Sequence, residues 1–324
     1  MKRLLSLLPA MLLVLFVACG GDDDNTYNLE PKKTPIPVDT DPRQMNGPVE
    51  AQNNIEFPAL AESGCVVLVH KATLNDMQKK EGINYSVEWD INKHTQHWTC
   101  YKAYRDVISS STPSYNVSRY EVKNGKNLTA DSQYPNDPML DSKYQFTTDP
   151  YKGSGYDHGH ICPSADRQRA IEANYQTFFM TNMQPQTKPF NGSDNSTPAE
   201  YSPWYQIERK MRTWADNVDT IYVCKGGIVD SNSKYIGSGI NKIPVPSYFF
   251  VALLSKKGNE YHAIGFWMKH ESSYSSKKVL STCAKSIDDL EKLTGYDFFC
   301  NLPKDIQDRV EKSYSASDWD GKLQ

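Results

Sequence analysis

The most informative motif of the chain is Tyr156-Asp157-His158-Gly159-His160-Ile161-Cys162-Pro163. Two further blocks follow it, Thr181-Asn182-Met183-Gln184-Pro185-Gln186 and then Phe190-Asn191-Gly192. A neutral imidazole can take a proton from water, and an amide oxygen can bind a hard cation. Taken together, the blocks predict a site for metal-assisted hydrolysis of a phosphodiester, a bond with no acidic proton of its own.

Strand and helix signals surround these blocks. Apolar runs and alternating patterns predict strands at 65–70, 84–90, 97–104, 220–224, 246–255 and 260–269. One helix is predicted where Trp204, Ile207, Met211 and Trp214 recur at helical spacing, and another between Ser286 and Gly295. Residues 108–155 are predicted to form a surface loop. Strands with a few helices indicate the α+β class, in one domain over residues 65–324.

The motif set is specific because its blocks agree in order and spacing. Asp-x-Gly-His-x-x-Pro, Thr-Asn-x-x-Pro-Gln, Phe-Asn and Trp-x-x-x-Glu follow one another between residues 157 and 208. In this respect the chain resembles the DNA/RNA non-specific endonuclease family over about residues 84–305. The resemblance implies a ββα-metal (His-Me finger) nuclease core on a central antiparallel sheet. It also implies DNA or RNA as substrate, without sequence specificity.

The resemblance also implies a role for each motif residue. His160 would be the general base, and Asn191 the one direct protein ligand of Mg²⁺, for which Mn²⁺ or another divalent cation would substitute. Glu208 would hold a water molecule of the ion, and Asn182 would support the His160 loop or contact phosphate. Asp157 completes the first motif. The ion would stabilise the departing 3′ oxygen, so that products carry 5′-phosphates.

Two departures from the family pattern affect the predicted site. His158 stands where the family usually has arginine, and histidine carries one charge only when it is protonated. We therefore expect lower activity than an arginine form would show, or activity shifted to the acidic side. Residues 193–203 lengthen the segment before Trp204, which could displace Glu208 from the ion. An alternative alignment would use Asn195 as the ligand.

Two other functions are consistent with parts of the pattern. His158, His160 and Cys162 alternate, so on one strand they would point to the same face and could bind zinc or copper. This alternative leaves the asparagine blocks unexplained. The second alternative is a surface nucleic-acid-binding lipoprotein with weak catalysis, suggested by His158 and the lengthened segment.

The N-terminus predicts export. Lys2 and Arg3 precede an apolar run from Leu4 to Val17 that is too short to span a bilayer comfortably. Leu15-Phe16-Val17-Ala18-Cys19-Gly20 resembles the lipobox of bacterial lipoproteins. We expect residues 1–18 to be a signal peptide, Cys19 to be lipidated, and the protein to be held at the outer membrane by lipid alone. An ordinary secretory signal with a chance cysteine is the alternative.

Composition divides the remaining chain into a tether and a nearly neutral domain. Residues 19–64 are rich in proline and hold nine acidic and three basic residues, which predicts a flexible acidic segment. The whole chain has a net charge of −3, so the part after residue 64 is close to neutral. This balance is unusual for a nucleic-acid binder, which is typically basic.

Six cysteines lie beyond the predicted lipidation site, at positions 65, 100, 162, 224, 283 and 300. Disulfides are common in exported proteins, because the compartments that such proteins enter are oxidising. The sequence alone leaves the pairing open. A bridge between Cys283 and Cys300, across the C-terminal helix, is the pairing we expect.

Overall fold

The structure is a computed structural model that describes residues 45–46, 54–60, 64–108, 133–196 and 198–319. The predicted signal peptide, Cys19 and most of the predicted tether lie outside these ranges. Within the described ranges, no helix has the length and apolar character that a membrane crossing requires.

A central antiparallel sheet organises the molecule. Strands β1 to β12 span Met45–Asn46, Cys65–Asn75, Lys80–Asp90, Thr95–Ala103, Asp157–His160, Met183–Gln186, Thr220–Ile228, Tyr235–Ile236, Ile243–Pro244, Tyr248–Lys257, Glu260–Lys269 and Ala284–Lys285. Eight strands form the sheet in the order β1-β2-β3-β4-β7-β10-β11-β12. Its neighbours are antiparallel except for β1 and β2. The α+β class and the antiparallel sheet predicted from the sequence are confirmed.

Helices cover the sheet. Helices α1 to α7 span Arg105–Ile108, Ile171–Gln176, Lys188–Asn191, Pro203–Ala215, Val279–Cys283, Ile287–Thr294 and Lys304–Glu311. Trp204, Ile207, Met211 and Trp214 are buried on one face of α4, as their spacing predicts. Ser286 caps α6 by accepting a hydrogen bond from the Asp289 amide, and Gly295 ends that helix at φ 77°.

Two hydrophobic clusters pack on opposite faces of the sheet. On β10, Val251 and Leu253 belong to one cluster, whereas Ala252 and Leu254 belong to the other. Successive side chains of a strand point to opposite faces, so the alternation assigns one cluster to each face. The first cluster includes side chains of α4, and the second includes side chains of α6 and α7. We call these faces the α4 face and the α6 face.

A small antiparallel ribbon lies on the α4 face. Strands β5 and β6 pair through Asp157–Gln186 and His160–Met183, and helix α3 follows β6 after one residue. Ile161, Met183 and Phe190 bury their side chains in the cluster of the α4 face. The order strand, strand, helix is the ββα arrangement expected from the motif set.

The structure differs from the predicted tether near its end. Residues 54–60 pack on the α6 face, where Phe57 is buried and its ring meets Trp98 edge-on at a centroid distance of 5.6 Å. Ile55 and Leu60 pack against the same cluster. These three apolar side chains bury enough surface to order a segment whose overall composition suggested a linker. Residues 54–60, which belong to the predicted tether, are thus packed against the domain in the structure.

The cysteines are free thiols in the structure. Cys65, Cys100, Cys162 and Cys224 are buried, and Cys283 and Cys300 are partly buried. The predicted bridge between the last two is not formed. Cys283 packs against the cluster of the α4 face, whereas the Cys300 thiol contacts the carbonyl oxygen of Phe57 on the α6 face at 3.7 Å. The sheet separates the two positions, which sequence spacing could not reveal.

Candidate active site

The ribbon fixes the ring of His160 and its tautomer. His160 Nδ1 lies 3.2 Å from the carbonyl oxygen of His158 on the same strand. Because a carbonyl can only accept, Nδ1 carries the proton, and the lone pair of the neutral imidazole is on Nε2. The ring also packs edge-on against Phe178 at 5.1 Å. His160 is thus oriented as a proton acceptor through Nε2.

Gly159 is required by a close approach within the ribbon. A Cβ atom at this position would lie 2.3 Å from Cδ of Gln186, whose side chain crosses the ribbon and is fully buried. Any other residue would push Gln186 or the strand aside. The glycine of the first motif therefore permits the packing that holds His158 and His160 in place.

Asp157 orients the amide of Asn191. The Asn191 Nδ2 atom donates to Asp157 Oδ2 at 2.9 Å, and the Ser193 hydroxyl donates to the same oxygen. An ionised carboxylate can only accept, so it selects the nitrogen side of the amide and turns Oδ1 away. Asn191 is the last residue of α3, which ends at Gly192 with φ 83°. The amide oxygen is thereby presented as a potential metal ligand.

Asn182 braces the turn that follows His160. Its side chain is buried, and Oδ1 accepts from the Cys162 amide at 2.8 Å. Nδ2 donates to the carbonyl oxygens of Cys162 at 2.9 Å and Thr177 at 2.7 Å. These bonds use both ends of the amide inside the protein. Of the two roles considered for Asn182, the geometry favours support of the His160 loop over contact with phosphate.

Hydrogen bonds connect helix α4 and its N-cap to the motif of His160 and to the motif of Phe190 and Asn191. Trp204 Nε1 donates to the carbonyl oxygen of His160 at 3.2 Å. The Ser202 hydroxyl donates to the carbonyl oxygen of Phe190 and caps the helix by accepting from the Tyr205 amide. The lengthened segment 193–203 therefore does not detach the helix. Glu208 follows Trp204 by one turn on the same side of the helix.

Glu208 belongs to a half-buried charge cluster. Lys225 Nζ on β7 lies 4.0 Å from Glu208 Oε1, and Lys225 is itself almost fully buried over the ring of Trp204. Burial raises the pKa of the Glu208 carboxyl to about 7, although Lys225 and Arg212 oppose this shift. Burial also lowers the pKa of Lys225. Glu208 can thus change its charge near neutral pH.

His158 lies between two tyrosine rings. Its imidazole stacks on Tyr134 at 3.7 Å and on Tyr151 at 4.0 Å, and Nε2 is 3.0 Å from Asp149 Oδ1. Burial would raise the pKa of Asp149, but its hydrogen bond and charge interaction with His158 lower it overall. The contact with His158 therefore favours the ionised form of the Asp149 carboxyl at this position.

The structure does not bring together the donors of the alternative zinc site. Among the described residues, the close groups of three or more potential ligands do not include His158, His160 and Cys162. Strand β5 ends at His160, so the alternation stops before Cys162, which is fully buried. Asn195, the alternative metal ligand, is exposed in a turn, whereas Asn191 is held by Asp157.

Sequence reasoning missed three kinds of neighbour. Asp149, Tyr134 and Tyr151 lie in the stretch predicted as surface loop, where nothing in the pattern indicated a partner for His158. The partner of Glu208 could have been found from the sequence. Lys225 is a lysine within the apolar strand β7, and a lysine in such a position implies a buried charge partner. Gln186 stood in the quoted block, but its position across Gly159 is visible only in the folded ribbon.

Known proteins with similar sequences are nucleases. A sequence profile described as DNA/RNA non-specific endonuclease matches residues 70–305. Mitochondrial nuclease EXOG of Xenopus laevis is 25% identical over 242 residues, covering 72% of this chain and 61% of the relative. Nuclease C1 of Cunninghamella echinulata is 28% identical over 207 residues, covering 61% of this chain and 78% of the relative. The chain thus spans about three fifths of the EXOG relative.

A solved structure shares the fold. The crystal structure of the complex of EndoG with EndoGI matches this chain with a TM-score of 0.54 and 18% sequence identity. The match covers 68% of this chain and 84% of the other. At this identity the likeness shows the fold alone. In this chain, the fold is an α+β arrangement in which the β5–β6 ribbon and α3 lie against a large antiparallel sheet.

Proposed function

The chain belongs to the DNA/RNA non-specific endonuclease family, and from this premise we propose that it hydrolyses phosphodiester bonds of DNA, RNA or both, leaving 5′-phosphate ends. The observation that carries the proposal is that two side chains of the ββα unit, one on the ribbon and one on helix α3, are each oriented by a hydrogen bond. His160 has its Nε2 lone pair set by the Nδ1 hydrogen bond to His158, and Asn191 has its amide oxygen set by Asp157.

His160 acts as the general base. Its neutral imidazole accepts a proton at Nε2 from the attacking water as the water oxygen approaches phosphorus. The proton on Nδ1 remains hydrogen-bonded to the carbonyl oxygen of His158, which keeps the ring from rotating during the transfer. Asn182 holds the turn after His160, and Trp204 holds the carbonyl of His160 itself. These contacts support the orientation of the base without touching the substrate.

A divalent cation fits the residues present. One amide oxygen, Oδ1 of Asn191, is directed away from Asp157, and a single hard ligand of this kind suits Mg²⁺, which keeps much of its hydration. When bound there, the cation would neutralise charge on the phosphoryl and leaving oxygens. Mn²⁺ is expected to substitute. Glu208 adds a carboxylate to this region. It lies on α4 one turn after Trp204, whose indole nitrogen donates to the carbonyl oxygen of His160.

Cleavage assays test this proposal. Plasmid DNA and bulk RNA are incubated with the full chain in Mg²⁺ or in EDTA, beside His160→Ala and a matched His262→Ala variant. His262 is a half-exposed histidine on β11 that pairs with Asp318, so it controls for loss of an imidazole elsewhere. We expect metal-dependent cleavage by the wild type and by His262→Ala. His160→Ala should be slower by about 10²- to 10⁴-fold.

Either of two results would contradict the proposal. Folded wild-type protein that cleaves neither polymer in any divalent metal, yet binds nucleic acid, would favour the binding lipoprotein instead. Equal rates for the wild type and His160→Ala would remove His160 as the base. Circular dichroism of each variant establishes that the comparison is made on folded protein.

We also propose that the protein is exported and anchored through a lipid at Cys19, at the bacterial outer membrane. The lipobox-like sequence around Cys19 supports this proposal. Fractionation of cells that express the full chain or Cys19→Ala tests it. The wild type should remain in the membrane fraction and the variant should not, whereas equal partition of the two would exclude the lipid anchor.

A further inference from the structure

A second group of metal-binding side chains lies at one end of the central sheet, apart from the motif residues. Cys65 is the first residue of β2, and Asp90, the last residue of β3, stands directly opposite it. His97 comes from β4. One sulfur, one carboxylate oxygen and one ring nitrogen from these three residues lie within 4.8 Å of one another.

The group lies on the α6 face, opposite the candidate active site. Cys65 precedes Val67 and Val69 by two and four residues on β2, and both valines belong to the cluster of that face. Tyr296, which packs against the same cluster, has its ring 6.3 Å from the ring of His97. The sheet therefore separates the group from the β5–β6 ribbon.

A β-bulge aims His97 at this group. Trp89 pairs with Gln96 and Glu88 pairs with Trp98, so His97 is the extra residue between the two pairs. Bulges commonly redirect a side chain out of the regular alternation of a strand. Gln96 meanwhile donates to the carbonyl oxygen of Thr181 on the other face. Trp98 belongs to the cluster of the α6 face, so the bulge places the consecutive side chains of His97 and Trp98 on the same face.

The imidazole of His97 is oriented as it is in histidine metal sites. Nδ1 is 2.9 Å from Oε1 of Glu88, a carboxylate that is 1% exposed. A proton on Nδ1 leaves the lone pair on Nε2, which lies 3.4 Å from Asp90 Oδ2. Cys65 Sγ lies beside the ring, 3.6 Å from Nδ1 and 4.0 Å from Nε2. Histidines that bind metals usually donate their other ring N–H to a carboxylate or carbonyl in this way.

We propose that Cys65 Sγ, His97 Nε2 and Asp90 Oδ2 form a zinc site, with Glu88 as the positioning residue for His97. Donor atoms around a tetrahedral zinc ion lie roughly 3.4–3.6 Å apart, from the usual zinc–ligand distances. The nitrogen–oxygen separation of 3.4 Å fits this spacing. The sulfur lies 3.6 Å from Nδ1 and 4.0 Å from Nε2, so the Cys65 side chain would rotate to bring its sulfur to an ion bound at Nε2. His97 is 23% exposed, so the fourth position faces solvent.

The chemistry of the donors selects the metal. Thiolate and imidazole favour zinc and other late transition ions over Mg²⁺ or Ca²⁺, which take oxygen ligands. Zinc binding releases the Cys65 thiol proton and any proton on Nε2 to solvent. The zinc ion would place its two positive charges beside the buried carboxylates of Glu88 and Asp90. The zinc ion would stabilise the fold, because its three ligands come from the neighbouring strands β2, β3 and β4.

The competing account is an ion pair without metal. Burial lowers the pKa of His97, but hydrogen bonds with Asp90, Cys65 and Glu88 outweigh burial and raise it to about 11. An imidazolium between two carboxylates would then satisfy the group by itself. Lys93, which is half exposed, adds a charge 3.4 Å from Asp90 Oδ2. Metal analysis separates the two accounts, because only the zinc site requires a thiolate ligand.

The test uses the full chain, stripped with a chelator, loaded with ZnCl₂ and desalted before elemental analysis. We expect the wild type and Asn191→Ala to retain one zinc ion per chain, and Cys65→Ser to lose it. Cys300→Ser is the matched control, because this partly buried thiol lies elsewhere on the α6 face. Glu88→Gln should weaken zinc binding by about 10- to 100-fold. Zinc should also raise the Tm of the wild type and not that of Cys65→Ser.

Cobalt provides a readout that does not depend on any variant. Co²⁺ added to the stripped wild type should produce a thiolate-to-metal charge-transfer absorption, which carboxylate and imidazole ligands cannot give. Absence of this absorption overturns the proposal even if Cys65→Ser fails to fold. Equal zinc content in folded wild type and folded Cys65→Ser also overturns it, and assigns the bound zinc to other residues.

Discussion

His158 and His160 stand two residues apart on one strand, but their surroundings give them different chemistry. His160 donates through Nδ1 to a backbone carbonyl and presents Nε2 as a base. The Nε2 of His158 instead pairs with the carboxylate of Asp149, between two tyrosine rings. The first environment leaves one ring nitrogen to accept a proton, and the second pairs a ring nitrogen with a carboxylate.

His158→Arg is an informative variant because the His158 ring stacks between the rings of Tyr134 and Tyr151. A guanidinium is planar, stacks on aromatic rings and can form two parallel hydrogen bonds with a carboxylate such as Asp149. It also keeps its charge at every working pH. We expect His158→Arg to cleave faster than the wild type above neutral pH and to show a flatter pH profile. Initial rates on plasmid DNA across a pH series check this, and unchanged rates at every pH would refute it.

Glu208 predicts a pH dependence of the metal requirement. Burial raises the pKa of this carboxyl to about 7, so it gains negative charge as the pH rises through 7. The charges that face it are those of Lys225, Arg212 and Asp166. If the ionised carboxylate helps to hold the cation, the Mg²⁺ concentration for half-maximal cleavage should fall between pH 6 and pH 8. Glu208→Gln should need more Mg²⁺ and lose this dependence.

A titration of both proteins over that range decides the role of Glu208. A wild-type Mg²⁺ requirement that is constant with pH, or one that changes equally in Glu208→Gln, would exclude it from the cation site. Calcium-free buffers and a fixed ionic strength are needed, because salt also weakens nucleic-acid binding.

At the scale of elements, the junction between α3 and α4 determines where Asn191 lies. Gly192 ends α3 at φ 83°, and a Cβ atom there would lie 2.8 Å from Cβ of Tyr205 in α4. Ser202 and Trp204 then fasten α4 to Phe190 and His160. The lengthened segment 193–203 leaves from this junction and returns to it, so an insertion is tolerated without moving the helix.

This junction predicts a difference between two glycine substitutions. Gly192→Ala and Gly295→Ala both place alanine at positive φ, but a Cβ at Gly295 meets nothing within 4 Å. We expect each to reduce the free energy of unfolding by about 1–3 kcal/mol from backbone strain. Gly192→Ala should lose more, and its cleavage rate should fall about tenfold or further because Asn191 moves. Urea unfolding and rate assays compare them, and equal activity in both variants would contradict this placement.

At the scale of the whole molecule, the sheet separates two kinds of chemistry. The α4 face carries the ribbon, α3 and α4, and the α6 face carries the proposed zinc group and residues 54–60. The same separation explains why Cys283 and Cys300 do not pair. Stability therefore depends on two packed faces rather than on cross-links between the described cysteines.

Thiol labelling tests this description of the whole molecule. Protein denatured without reductant and treated with an alkylating agent should be modified at all six core cysteines, since the structure has them as free thiols. Its Tm should be the same with and without reductant, measured in the presence of chelator to remove bound metal. Peptide mapping that finds Cys283 joined to Cys300 would show that the C-terminal region folds differently.

Much of the fold was readable from the sequence, because its signals are local. The order of the motif blocks indicated the family, the spacing of four apolar residues predicted α4, and Ser286 and Gly295 marked the ends of α6. The strand patterns predicted β10 and β11, which the structure pairs as a hairpin with Gly258 in its turn at φ 58°. Hydrophobic periodicity and capping depend on neighbours a few residues away, so one sequence suffices to recognise them.

The surroundings of each reactive group depend on long-range contacts that the sequence did not reveal. Asp149 and two tyrosines meet His158, Lys225 meets Glu208, and a bulge turns His97 towards Cys65 across 32 positions of sequence. These contacts join residues that no local pattern links. The charge state of Glu208 follows from burial, and burial is a property of the packed molecule rather than of the chain. The sequence thus determined which chemical groups are present, and the fold determined which of them face each other.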